Sequence, residues 1–340
     1  MSIHKKLFAT FCLAGTLLIF ACGTEERKTE TRQDKKEQPP VTQTLVVPTF
    51  NADSAYQYIA DQLEFGPRVP GTEAHRACRD YFVEKMNSFG AEVEVQEFNA
   101  RLFGSGSVRC YNIVARFNPS NRKRVLLAAH WDSRHIADHD PDESKRDQPV
   151  PGADDGASGV GVLMEIARLL GENPIDLGVD IVFFDAEDQG DDGGRNPESW
   201  GVGAQRWSQQ INRSSGPKPQ YGILLDMVGA ANPRFGREGF SVRFAPEVLD
   251  KVWNVAQQLG YGRYFVNQPV DGVVDDHYFV NTIARIPMIN IINRPPGTRT
   301  GFVPHWHTVS DDLSVISKST LHAVGHTVIE VLFREDADAL

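Results

Sequence analysis

Acidic residues and histidines recur in this chain directly after apolar runs, and that placement is where chemistry first shows. His130-Trp131-Asp132 follows the run that ends at Ala129, Asp185-Ala186-Glu187-Asp188 follows Phe184, and Asp226 follows Leu225. Gly152-Ala153-Asp154-Asp155-Gly156 opens an expected helix, and Trp306-His307-Thr308 precedes another. Carboxylates and imidazoles suit zinc, which would act as a Lewis acid. Each also has an ordinary structural reading: Asp154 as a helix N-cap, Asp226 as a turn cap, His307 as a surface residue. Several strands delivering such groups to one edge argues for a site, because ligands of open α/β sheets bind beyond the carboxyl ends of the strands.

Other chemistries lack their signatures. No His-Glu-x-x-His helix is present, Gly156-Ala157-Ser158-Gly159 lacks the spacing of a nucleophile elbow, and Gly159-Val160-Gly161 does not continue into a dinucleotide fingerprint. The formal net charge of −10 argues against a nucleic-acid partner, since little here would release phosphate counterions.

The elements that must hold these residues follow from periodicity. Asn51 or Asp53 caps an expected helix to Phe65, stopped by Gly66-Pro67, and a second helix is expected over Glu73–Ser88. Residues 92–99 and 108–117 read as strands, an antiparallel pair at a sheet edge. The apolar runs 125–129, 180–184, 221–225 and 287–292 suit strands covered on both faces. Helices are expected around 156–171, 200–212, 246–259 and 314–334. That alternation gives an α/β three-layer sandwich with a mixed, mostly parallel central sheet flanked by helices. With 41% hydrophobic residues among 340, residues 48–340 are expected to form a single catalytic domain.

The start of the chain reads as export. Lys5 and Lys6 precede an apolar run to Ala21, a signal peptide over residues 1–21, and Ala21-Cys22-Gly23 resembles a lipoprotein cleavage site. Cys22 would then carry lipid and anchor the protein on the periplasmic side of a bacterial membrane. Residues 22–47 read as a flexible tether, being rich in Glu, Lys, Thr, Gln and Pro. Of four cysteines, only Cys78 and Cys110 fall in the folded part, where they either pair or stay as buried thiols.

In order along residues 50 to 335, these motifs resemble the zinc aminopeptidase-like superfamily and, within it, the glutaminyl cyclases (glutaminyl-peptide cyclotransferases) of animal type. The segments are His130-Trp131-Asp132-Ser133, Gly152-Ala153-Asp154, Phe183 to Asp188, Leu225-Asp226, Asp275-Asp276-His277 and Trp306-His307-Thr308. The resemblance implies one zinc held by Asp154, Asp188 and His307. It implies Glu187 as the proton shuttle, with Asp226 and Asp275 in its network, and Phe302 and Trp306 as pocket aromatics. The expected reaction turns the N-terminal Gln of peptides and proteins into pyroglutamate with release of ammonia. The chain departs from the animal pattern at Asp188, where a Glu is usual, at Val274, where a Gln is usual, and in the glycine-rich stretch from Gln189 to Ser199. Trp200 reads first as core packing and second as a pocket aromatic. The alternatives are a two-zinc aminopeptidase that adds His130 and Asp226 as ligands, or a non-catalytic binding lipoprotein. The protein is expected as a monomer.

Overall fold

The computed structural model describes residues 45–102, 106–191 and 196–340. The expected signal peptide, most of the tether and Cys22 lie outside them.

The first element is helix α1 (Ala52–Glu64), capped by Asn51, whose side chain accepts from the amides of Asp53 and Ser54. Thr72 caps α2 (Glu73–Ser88) in the same way, accepting from His75 N. Strands β1 (Glu92–Arg101) and β2 (Ser107–Phe117) form an antiparallel pair with β1 at the sheet edge. The chain then alternates: β3 (Arg124–His130), α3 (Ala157–Glu172), β4 (Gly178–Phe184), α4 (Val202–Ile211) and β5 (Tyr221–Asp226). A two-stranded parallel sheet, β6 (Phe235–Glu238) with β7 (Phe265–Val270), encloses α5 (Gly239–Phe244) and α6 (Pro246–Gln258) in sequence. The short α7 (Asp276–Phe279), strand β8 (Met288–Ile292) and α8 (Lys318–Asp336) complete it.

The main sheet has the order β1-β2-β4-β3-β5-β8, with β4, β3, β5 and β8 parallel and the β1–β2 pair antiparallel at one side. This is the mixed, mostly parallel sheet that the apolar runs imply. Successive strand side chains point to opposite faces. Val125, Leu127 and Ala129 of β3 accordingly join the larger core cluster, while Leu126 and Ala128 join a second one with Phe184, Trp207 and Phe279. Both faces are buried, so the strand has no reason to alternate polar with apolar. Burying each large aliphatic or aromatic side chain contributes roughly 2 kcal/mol, so the runs that look monotonous in sequence carry much of the stability.

The last helix begins four residues later than the pattern suggests. Asp312 caps a separate single turn over Leu313–Val315, accepting from Ser314 N, and α8 starts only at Lys318. Strands β6 and β7 and helices α5 and α7 carry no clear periodicity in the sequence. Cys78 and Cys110 are separate buried thiols. Among the described residues, no helix is long and apolar enough to cross a membrane.

Candidate active site and metal centre

Parallel strands β3, β4, β5 and β8 end at the same sheet edge, and the acidic loops converge there. Asp155, Asp188 and His307 each offer a ligand atom, all within 4.8 Å of one another, and His130, Asp155 and Asp226 do the same. Asp155 is common to both groups. His307 Nε2 lies 2.9 Å from Asp188 Oδ1, and His130 Nε2 lies 2.9 Å from Asp155 Oδ1 and 3.4 Å from Asp226 Oδ1.

This corrects the reading of Asp154 as a ligand. Its Oδ1 accepts from the amides of Gly229 (2.7 Å) and Ala230 (3.1 Å), and its Oδ2 meets His305 Nε2 at 2.9 Å. Asp154 therefore ties the loop after β3 to the segment after β5, and the neighbouring Asp155 faces the cluster. Nor is Asp154 the cap of α3, whose N-cap position is Gly156. A Cβ at Gly156 would lie 2.4 Å from the His130 carbonyl oxygen and 2.5 Å from its Nε2, so only glycine lets this loop approach β3.

The cluster rests on buried supports. Asp311 accepts from Asp154 N (2.8 Å) and Asp155 N (3.1 Å). Asp132 accepts from Glu187 N, Asp188 N and the Gln189 side chain, at 3.0, 3.2 and 2.8 Å. Arg134 grips both oxygens of Asp138, and Asp138 Oδ1 lies 3.4 Å from His307 Nδ1. A carboxylate behind a ligand imidazole fixes the ring and raises its basicity. Ala186, Met227 and His307 hold left-handed backbone, with φ of 55°, 47° and 55°. Such conformations are costly for residues with side chains and concentrate where a site demands them.

The residues fit a zinc ion. Asp188 Oδ2, on a residue of the first donor group, is buried without a hydrogen-bond partner. Groups so placed are expensive unless something satisfies them. Burial opposes a charge on His130, yet Asp132, Asp155 and Asp226 outweigh it and hold the imidazole far above its ordinary pKa. The carboxylates thus demand positive charge at this point, and their oxygens with imidazole nitrogens are a zinc donor set.

A cavity of about 320 Å³ opens over the cluster. Glu187, Asp226, Asp275 and Val274 line it, as do Trp200, Phe302 and Trp306. Burial raises the Glu187 carboxyl well above the carboxylate range, and the nearby Asp275 adds to it; Asp226 is raised by the same two causes. Asp275 is held by Asn290 Nδ2 at 2.5 Å and caps α7 through Asp276 N. Phe302 stacks on Trp306 with ring centres 4.4 Å apart, and Trp306 stacks on His307 at 3.7 Å. Trp200 packs against the second core cluster and also lines the cavity, nearly parallel to the His307 ring at 6.2 Å and with the Arg134 guanidinium on its face. Its place depends on Gly190, where a Cβ would fall 2.2 Å from the indole. The sequence carried no pattern for Arg134 or Asp138; only the converging loops reveal them.

The profile described as peptidase family M28 matches residues 112–332. Glutaminyl-peptide cyclotransferase of Drosophila melanogaster is 25% identical over 276 residues, covering 75% of this chain and 73% of that protein. The glutaminyl cyclase of Bacteroides thetaiotaomicron, solved with N-acetylhistamine bound, is 46% identical, with a TM-score of 0.82 over 85% of this chain and 99% of that one. A Zn-dependent exopeptidase of Parabacteroides distasonis is 47% identical, with the same TM-score and the same coverage. The extent of these matches and the site they surround show that the chain belongs to peptidase family M28, in the group that includes the glutaminyl cyclases.

Proposed function

We propose that this protein is a zinc-dependent glutaminyl cyclase, which closes the N-terminal Gln of peptides and proteins into pyroglutamate and releases ammonia. The supporting observation is a buried Glu187 beside Asp226 and Asp275 in an aromatic-walled cavity, immediately next to the donor cluster. Similarity to cyclases from both an insect and a bacterium supports the same reading. Asp155, Asp188 and His307 are the residues that would hold the metal. Bound there, zinc supplies Lewis acidity toward the γ-carbonyl oxygen of the substrate.

Glu187 does the proton work. Its carboxylate takes a proton from the substrate's α-amine as the nitrogen attacks the side-chain amide carbonyl carbon (Cδ), and returns one to the departing ammonia. A carboxyl whose pKa burial raises above its ordinary range holds a proton more firmly and is suited to giving and taking in turn. Crowding by Asp226 and Asp275 lets the three groups share protons instead of carrying three full charges. Trp200, Phe302 and Trp306 hold the short aliphatic arm of Gln so that amine and carbonyl meet, and they exclude water that would compete as nucleophile.

A second reading has its own support. His130, Asp155 and Asp226 form a donor group that shares Asp155 with the first, as a two-metal hydrolase would require. One zinc per chain is the proposal here; two zincs with release of free amino acids would favour the hydrolase. Glu187→Gln separates the roles: the variant should keep its zinc and lose at least about a hundredfold in ammonia release. Undiminished turnover in that variant would remove Glu187 from the chemistry.

A further inference from the structure

Arg294 lies just beyond β8 and lines two hollows at once, the catalytic cavity and a surface groove of about 260 Å³ that includes Arg234, Gln268 and Asp271. Among the described residues that line the catalytic cavity, it is the sole arginine or lysine. Its guanidinium carbon sits 4.3 Å from the centre of the Phe302 ring, and through Phe302 and Trp306 it is stacked in series onto His307. Arg294 Nε donates to Gly301 O at 2.7 Å, and its backbone amide donates to Arg234 O at 3.1 Å. These contacts fix the head group but do not use its two terminal amino groups. No carboxylate among the described residues forms an ion pair with it. Asp271, Glu238 and Asp226 act on it only from farther away, against a burial that lowers its pKa.

A half-buried guanidinium ordinarily has a carboxylate or phosphate in its fork, because five rigid donors match such anions two at a time. Here the fork is held by the Gly301 carbonyl and the Phe302 ring, lies where cavity and groove meet, and has no carboxylate in it. The substrate's first residue must lie deep, against Glu187 and the donor cluster, so the following residue leaves by the mouth. A side chain shared between cavity and outer groove stands on that route.

We infer that Arg294 is a specificity-determining residue that binds a carboxylate carried by the residue after the N-terminal Gln. That carboxylate comes either from an Asp or Glu side chain or from the free C-terminus of a dipeptide. The inference rests on the cyclase reading and adds the class of substrate to it. Without Arg294 no arginine or lysine would remain among the described residues that line the cavity, so losing the charge should abolish the preference.

The test compares kcat/KM for ammonia release by zinc-loaded wild type, Arg294→Gln and Arg294→Lys. One arm pairs Gln-Glu-Ala-amide with Gln-Gln-Ala-amide, and the other pairs free Gln-Ala with Gln-Ala-amide. Wild type should favour the carboxylate-bearing member by about tenfold in one arm or both, the weight of one charge-assisted hydrogen bond, expressed in KM. The arm that shows the preference identifies the source of the carboxylate. Arg294→Gln should abolish the preference and Arg294→Lys should restore part of it. Salt at about 0.5 M should shrink the ratio in wild type and leave Arg294→Gln unmoved. Equal ratios in wild type and Arg294→Gln, with both peptides turned over, would overturn the inference alone. Failure of wild type to cyclise any of the four peptides would overturn it together with the cyclase reading.

Discussion

Asp132, Asp154 and Asp311 perform one task three times: each buried carboxylate accepts from two consecutive backbone amides of a neighbouring loop. Charged acceptors make such hydrogen bonds short and strong, and the loops that carry Glu187, Asp188 and Asp155 are held by them. Asp154 belongs to this set of clamps, while the adjacent Asp155 faces His130 and His307. The sequence motif Gly152 to Gly156 locates the loop but leaves open which of two adjacent acids turns inward, because that depends on backbone set by Asp311, far along the chain. Asp188 and His307 meet as their places after β4 and before α8 suggest. Zinc content should follow the geometry. Asp155→Asn should lose most bound zinc and activity, whereas Asp154→Asn should keep its zinc and lose about 1–2 kcal/mol of stability through weakened hydrogen bonds to Gly229 and Ala230. Metal analysis beside thermal unfolding decides it, and zinc retained in Asp155→Asn but lost in Asp154→Asn would reverse the assignment.

At the scale of elements, the central strands were legible as apolar runs, β1 and β2 as an edge pair, and the long helices from their periods, side-chain caps being formed only at α1 and α2 among them. Between β5 and β8 only α6 was legible, and β6, α5, β7 and α7 were not. There Glu238, at the end of β6, accepts from Phe240 N, Ser241 N and Ser241 Oγ at the start of α5, from Val273 N, and contacts His277 Nε2 of α7 at 3.0 Å. One buried acid thereby joins β6, α5 and the loop and helix that present Asp275, a set of long-range ties invisible to local pattern. Burial alone would raise the Glu238 pKa, but His277 and the amides outweigh it and bring it down to about 2 from an ordinary value of 4.5. A folded pKa below the unfolded one means the contribution is complete above pH 4.5 and is lost as pH falls towards 2. The difference is worth about 3 kcal/mol. Glu238→Gln should therefore cost about that much near neutral pH and progressively less in acid, as followed by urea unfolding across that range. A pH-independent penalty would show that shape, and not charge, is what Glu238 provides.

At the scale of the whole molecule, the fold gathers negative charge beyond the strand ends and sets aromatic walls around it. The net charge of −10 is thus partly local, concentrated where a cation and an amine-bearing substrate would enter. The same scaffold serves relatives named as cyclases and as exopeptidases, so fold membership leaves the reaction to be decided by the cavity. Here the acids beyond the donor cluster, Glu187 with Asp275, and the stacked Phe302 and Trp306 favour ring closure over attack by water. The decisive measurement is mass spectrometry, with coupled ammonia detection, on a Gln-initiated peptide treated with the zinc-loaded protein. Cyclisation predicts a peptide lighter by one ammonia, one equivalent of ammonia in solution, and loss of both on chelation with recovery on adding zinc. A peptide shortened by its first residue, with free Gln and no ammonia, would contradict the account.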